Sequence, residues 1–194
     1  MAHKPDDVTA KDSGATFAPH SEGQFATLCV DVVNLGINVE QFGEQEPREV
    51  PKVALVFASG ETQEDGSLTL VTTEMTLSAN EKANLRKFIE SWRGKSYTPE
   101  QAEAGLPISK LYGQPALLSI EHVLTRKGRK FAKITSISPL PKAMPAPQTD
   151  VLGKYERPKF LTDRKAQYAE ALKKHRGVAS ETVTDNGDDD DIPF

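Results

Sequence analysis

A chain of 194 residues, 37% of them hydrophobic and 7% aromatic, can bury one core but hardly two, since domains commonly run to about 100–150 residues. Its single cysteine, Cys29, excludes an internal disulfide framework and a cysteine metal cluster, which fits a reducing compartment. The net charge of −4 argues at first against a nucleic-acid partner, but Glu181, Asp185 and Asp188 to Asp191 stand at one end with no Lys or Arg among them, and without those six acids 24 basic groups face 22 acidic ones, a net of +2. A mildly basic body and a strongly acidic tail suggest two different partners.

Residues 1–20 are polar, contain Pro5, Gly14 and Pro19 and follow no period, which predicts a flexible arm. The start "MAHKPDDVTAKDSG" lacks the apolar centre of a signal peptide, and no apolar run approaches the roughly 20 residues that cross a bilayer, so a soluble cytoplasmic protein is expected. Order should begin near Gly23. "GQFATLCVDVVN" (23–34) and "VPKVALVFAS" (50–59) are rich in β-branched and apolar residues and read as partly or fully buried strands, joined by the polar loop "GINVEQFGEQEPRE". "GSLTLVTTEMTLS" (66–78) gives a third strand after the turn "EDG".

The period then changes. Ser78 with Glu81 three residues on has the form of a capping box, and Leu85, Phe88, Ile89 and Trp92 recur at helical spacing up to Gly94. Thr98, Pro99 and Gln101 predict a second short helix before Gly105. Strand patterning returns in "QPALLSIEHVLT" (114–125) and, after the turn "RKGR", in "KFAKITSIS" (130–138).

This succession predicts a mainly β fold, a five-stranded OB-fold barrel over residues 21–141 with a helix between the third and fourth strands. An α+β sandwich of the same elements is the structural alternative. Beyond Ser138 the prolines 139, 141, 145 and 147 hold the chain extended. Residues 142–180 read as a Pro-rich linker and a short basic helix, "FLTDRKAQYAEALKKHRG", capped near Thr162 and stopped by Gly177. Its apolar content, Leu161, Tyr168 and Leu172 with some alanines, is thin, whereas eight basic and three acidic residues lie between Lys154 and Arg176. It is either a basic adjunct to a nucleic-acid surface or a solvated charged helix. Residues 181–194 read as a disordered acidic tail, because a run of like charges cannot bury itself.

That tail ends on an apolar group for which a solvating segment has no use. Asp188, Asp189, Asp190, Asp191, Ile192, Pro193 and Phe194 resemble the acidic tip of bacterial single-stranded DNA-binding proteins. The resemblance implies a docking peptide for replication, recombination and repair enzymes. The Phe194 ring would fill an apolar pocket, its carboxylate would pair with a basic side chain, and the aspartates would steer the encounter. The chain as a whole resembles phage-encoded single-stranded DNA-binding proteins with an OB-fold body, through "FAPHSEGQFATLCVDVVNLG", "EKANLRKFIESWRGKSY" and "KGRKFAKITSISPLP". In that setting the cytoplasm is that of a bacterial host cell, and self-association into a homo-oligomer stays open.

A DNA groove is then expected in the body. In "TRKGRKFAK", Arg126, Lys127, Arg129 and Lys130 surround Gly128, with Phe131 and Lys133 on alternate positions beyond. Four cations exceed the needs of a turn; they can neutralise phosphates while an aromatic ring stacks a base. The plain reading is a charged turn with Phe131 in the core. Phe25, Phe57 and Lys52 are further candidates on the first two strands, although a strand phenylalanine is usually buried. Trp92, by its spacing, belongs to the core, with Arg86, Lys87, Arg93 and Lys95 on a solvated helix face.

No catalytic motif is present: His3, His20, His122 and His175 are scattered, Cys29 has no neighbouring histidine, and phosphate-loop, GxGxxG and HExxH patterns are missing. No cofactor and no enzymatic activity are expected. Two other readings compete with DNA binding. One is an interaction protein that mimics the bacterial tail to capture host enzymes. The other is a metal-dependent nuclease in which carboxylates such as Glu74 and Glu121 converge.

Overall fold

The computed structural model describes residues 19–125, 128, 130–148 and 150–183. The expected flexible arm lies outside them except for Pro19 and His20, as does the acidic tail from residue 184. The element order is β1 (Gly23–Glu40), β2 (Arg48–Thr62), β3 (Leu68–Thr76), α1 (Asn84–Arg93), α2 (Pro99–Glu103), a 3-10 turn (Ile108–Leu111), β4 (Pro115–Leu124), β5 (Lys130–Ser138), α3 (Asp150–Lys154) and α4 (Lys159–Val183). The protein is mainly β, built on one antiparallel five-stranded sheet of order β3-β2-β1-β4-β5. The two edge strands, β3 and β5, touch each other, and α1 packs against both.

Strand pairing carries further than the loop reading of residues 36–49 allows. Ile37 to Glu40 pair with Arg48 to Pro51, so β1 and β2 form a long hairpin whose exposed tip spans only 41–47. Register shifts between Cys29 and Asp31 and between Asn34 and Gly36 place bulges in β1, and such extra residues bend a strand and raise its twist.

The sheet's inner face and α1 make the first core. Cys29, Val53, Leu55, Phe57, Val71, Leu118 and Ile120 surround Leu85, Ile89 and Trp92. Phe88 is partly buried against them, so the helical stripe packs as its spacing predicts. The indole N–H of Trp92 donates to the Pro115 carbonyl at 2.8 Å, which satisfies its one polar atom.

The start of α1 differs from expectation. Ser78 and Glu81 form no capping box; the N-cap is Ala83, without a side-chain bond. Ser78 Oγ instead accepts from the Asn80 N–H, and Asn80 Oδ1 accepts from the Lys82 N–H. These local bonds offer the backbone turns in place of helix. The second box is formed as expected, with Thr98 and Gln101 each accepting the other's backbone N–H.

Residues 150–183 do more than link. The outer face of β1 and β2 is apolar too, and α3 and α4 cover it: Leu28, Val30, Val33, Leu35, Ala54, Val56 and Ala58 pack with Val151, Leu161 and Tyr168 in a second core. Burying a Leu or Val side chain fully stabilises by about 1.5–3 kcal/mol, so the helices are fixed parts of the domain. Gly177 does not stop α4, which continues to Val183, because this glycine does not adopt the left-handed conformation of a helix end.

Gly94 does adopt it, with φ +66° at the α1 C-cap, and a Cβ there would stand 2.9 Å from Pro139 Cγ. Gly94→Ala is expected to destabilise by about 2 kcal/mol or more, because the left-handed strain of roughly 1–2 kcal/mol is joined by a steric clash. Gly177→Ala, in helical backbone with open space around it, should instead stabilise by about 0.5–1 kcal/mol. Paired urea titrations check both signs.

Candidate nucleic-acid interface

β4 and β5 form a hairpin with Val123 opposite Phe131, Glu121 opposite Lys133 and Leu124 opposite Lys130. Ala132 and Ile134 turn into the first core; alternation therefore sends Phe131 and Lys133 to the outer face. Phe131 is 42% exposed, an unusual state for a strand phenylalanine. Lys130 and Lys133 are exposed and make no ion pair among the described residues. Arg126, Lys127 and Arg129 lie outside the described residues, as do Asp188 to Asp191, Ile192, Pro193 and Phe194.

The other proposed groove residues are engaged elsewhere. Phe57 is completely buried, its ring centroid 5.3 Å from that of Trp92 and 6.2 Å from that of Phe88. With no exposed ring face it cannot stack a base, and it belongs to the core. Phe25 lies on the inner face opposite Leu118, partly buried, and meets the His20 ring edge-on at 4.6 Å. Lys52 is held by Glu40 at 2.6 Å and donates to Thr76 Oγ1, so its charge is neutralised within the protein. None of these three joins Phe131.

A polar group that the sequence reading did not single out lies further along the same outer face. Ser136 Oγ donates to Ser119 Oγ at 2.8 Å, Thr135 Oγ1 donates to the Ser119 carbonyl, and Gln24 Nε2 reaches Ser119 Oγ at 3.5 Å. Thr135 sits in the register shift that faces Ser119 and Ile120. The signal for this polar row was the hydroxyl run in "KITSIS" and the lone serine of "LLSIE", which local patterning gives no reason to connect.

The basic segment works largely as a latch. Arg157 donates to both oxygens of Asp31 at 2.7 and 3.0 Å, and Tyr155 Oη donates to the same carboxylate at 2.7 Å. Tyr168 Oη donates to Glu74, which Arg164 also approaches, and Arg176 binds Glu49 through two bonds. Lys154 and Lys159 pair with Asp150 and Asp163 within their own helices. Only Lys165, Lys173 and Lys174 of the eight cations have no ion pair among the described residues.

Burial alone would raise the Asp31 pKa, but the Arg157 and Tyr155 bonds outweigh it and hold the carboxyl below its ordinary value. Because the folded value is the lower one, this stabilisation is complete above the unfolded pKa of about 3.9 and disappears as pH falls through the folded value. Asp31→Ala should therefore cost about 2 kcal/mol at neutral pH, from lost charged hydrogen bonds, and the gap to the parent protein should close in strong acid. Thermal unfolding at pH 7 and pH 2.5 measures it.

The N-terminal boundary is also tighter than expected. His20 is fully buried, its Nε2 2.7 Å from Ser59 Oγ, and its carbonyl accepts from His122 Nε2 at 2.8 Å. Burial pushes the Cys29 thiol up to about 12, which suits a core residue and not a nucleophile. Among the described residues no three His, Cys, Asp or Glu side chains are grouped as metal ligands would be, and Glu74 and Glu121 do not converge: one faces α4 and the other Lys133. Among the described residues no helix is long and apolar enough to cross a membrane. No family profile matches the chain, and no curated protein matches it.

Proposed function

We propose that this chain is a non-enzymatic single-stranded DNA-binding protein with an OB-fold body, which coats transient single strands during replication and recombination and recruits enzymes through its "DDDDIPF" segment. The strand succession, the meeting of edges β3 and β5 and the placement of α1 between them support the barrel reading. The observation that carries the function is the half-exposed Phe131 beside Lys130 and Lys133, which make no ion pair among the described residues, on a strand that follows a stretch whose sequence holds three more cations. A ring and cations on one face supply what sequence-independent binding needs, stacking and phosphate neutralisation. The resemblance of the tail to the bacterial docking tip supports the second half of the reading.

Titration of a fluorescent thymidine oligonucleotide and of a duplex, each at two salt concentrations, tests it. Tighter binding of the single strand, weakening steeply with salt, is the expected result. Equal affinity for both forms, or none at low salt, would favour a tail mimic that captures enzymes without DNA.

A further inference from the structure

OB-type barrels commonly receive oligonucleotides across the outer face of strands two and three. Here the neighbouring outer face is closed. Val30, Val33, Ala54 and Val56 lie buried beneath Leu161 and Tyr168, and α4 reaches across to β3 through the Tyr168–Glu74 bond. The helix is tied down again by Arg176 on Glu49, and the connection that leads into it by Arg157 on Asp31. Lifting it would bare a contiguous apolar surface and strand the Asp31 carboxylate, whose side chain is only 12% exposed.

Resting on the single-strand reading above, we propose that the strand is carried on the opposite flank, the outer face of β4 and β5 with the first residues of β1. On this path Phe131 stacks a base, Lys133 meets a phosphate, and Ser119, Thr135, Ser136 and Gln24 offer hydroxyl and amide groups to sugar, phosphate or base edges. α4 stays seated throughout. The occupant follows from complementarity. A half-exposed ring, a Lys133 that makes no ion pair among the described residues although Glu121 stands opposite it, and a row of neutral donors match a polyanion with stackable faces.

The test uses the full chain and a thymidine oligonucleotide. Phe131→Ala should weaken binding at least fivefold, as the loss of one stacked base does, and Lys133→Glu should weaken it further at low salt. Replacing Lys165, Lys173 and Lys174 with alanine should change affinity less than twofold. Hydrogen exchange on the unmodified protein gives a readout free of any folding defect: the oligonucleotide should slow exchange in 130–138 and leave 160–176 unchanged. If the oligonucleotide binds but accelerates exchange in α4, or if the α4 substitutions and not Phe131→Ala weaken it, the path is wrong while single-strand binding stands. If the unmodified protein binds no oligonucleotide at low salt, the underlying reading and this path fall together.

Discussion

Replacing Arg126, Lys127, Arg129 and Lys130 together with alanine is expected to weaken single-strand binding on the order of a hundredfold at low salt and to flatten its salt dependence. Each phosphate neutralised on a single strand adds about 0.7 to the slope of log affinity against log salt, so four contacts account for up to about 3. The fold should survive, because this stretch reads from its sequence as a turn between strands, where surface charges contribute little to stability. Phe131 and Lys133 remain in this variant, so residual binding should be mostly stacking-driven, with a salt slope of about 0.7, that of the one phosphate contact left to Lys133. Affinity measured at four salt concentrations separates the outcomes. An unchanged slope in a folded protein would move the electrostatic site away from this hairpin, to Lys87 and Lys95 near α1 or to Lys165, Lys173 and Lys174 of α4.

The sheet was legible because hydrophobic alternation reports which faces of a strand are covered. "VALVFA" in β2 is apolar at six consecutive positions, 53–58, and all six are buried. Such a run demands cover on both faces, so the second core was already written in β2. Its lid was not recognised. Among its described side chains α4 buries only Leu161 and Tyr168, and the attachment of this segment depends on Asp31, Glu74 and Glu49 meeting residues about 90–130 positions away. Long-range pairs of this kind leave no local periodicity. α1 failed at its start for a different reason: Ser78 and Asn80 satisfied backbone groups in turns, outcompeting the cap that the spacing of Ser78 and Glu81 suggested.

The candidate site was legible in part. Phe131 and Lys133 could be placed on a common face from period two alone. Phe25 and Phe57 could not be told from core rings, since both outcomes look identical in a strand of this composition, and the packing of Phe57 on Trp92 decided the matter. Lys52 lost its role to Glu40, about 40 Å of extended chain away in sequence but its neighbour once the β1–β2 hairpin closes. The polar row around Ser119 depended on the shifted register between β4 and β5, which single-strand patterning does not encode.

Phe194→Ala should abolish most of the affinity for an enzyme that recognises the acidic segment while leaving DNA binding nearly intact. The substitution keeps Asp188 to Asp191 and their long-range attraction but removes the ring that a partner pocket would desolvate. An anchor of this kind is commonly worth about 2 kcal/mol or more, close to a thirtyfold loss. Charge sets the association rate and the anchor sets the dissociation rate, so the variant should associate almost normally and leave quickly. Replacing the four aspartates with asparagine should do the reverse, slowing association and removing its salt dependence. Removing residues 184–194 should abolish recruitment altogether and leave DNA affinity equal or higher, since the excised segment carries five acids and no base and a polyanion near a cationic face competes with nucleic acid. Surface plasmon resonance against a bacterial repair enzyme that binds such tips, with an oligonucleotide titration in parallel, reads both sites. A truncated chain that stays folded but binds DNA markedly worse would show that the acidic segment serves the nucleoprotein complex itself, and the docking role would have to be given up.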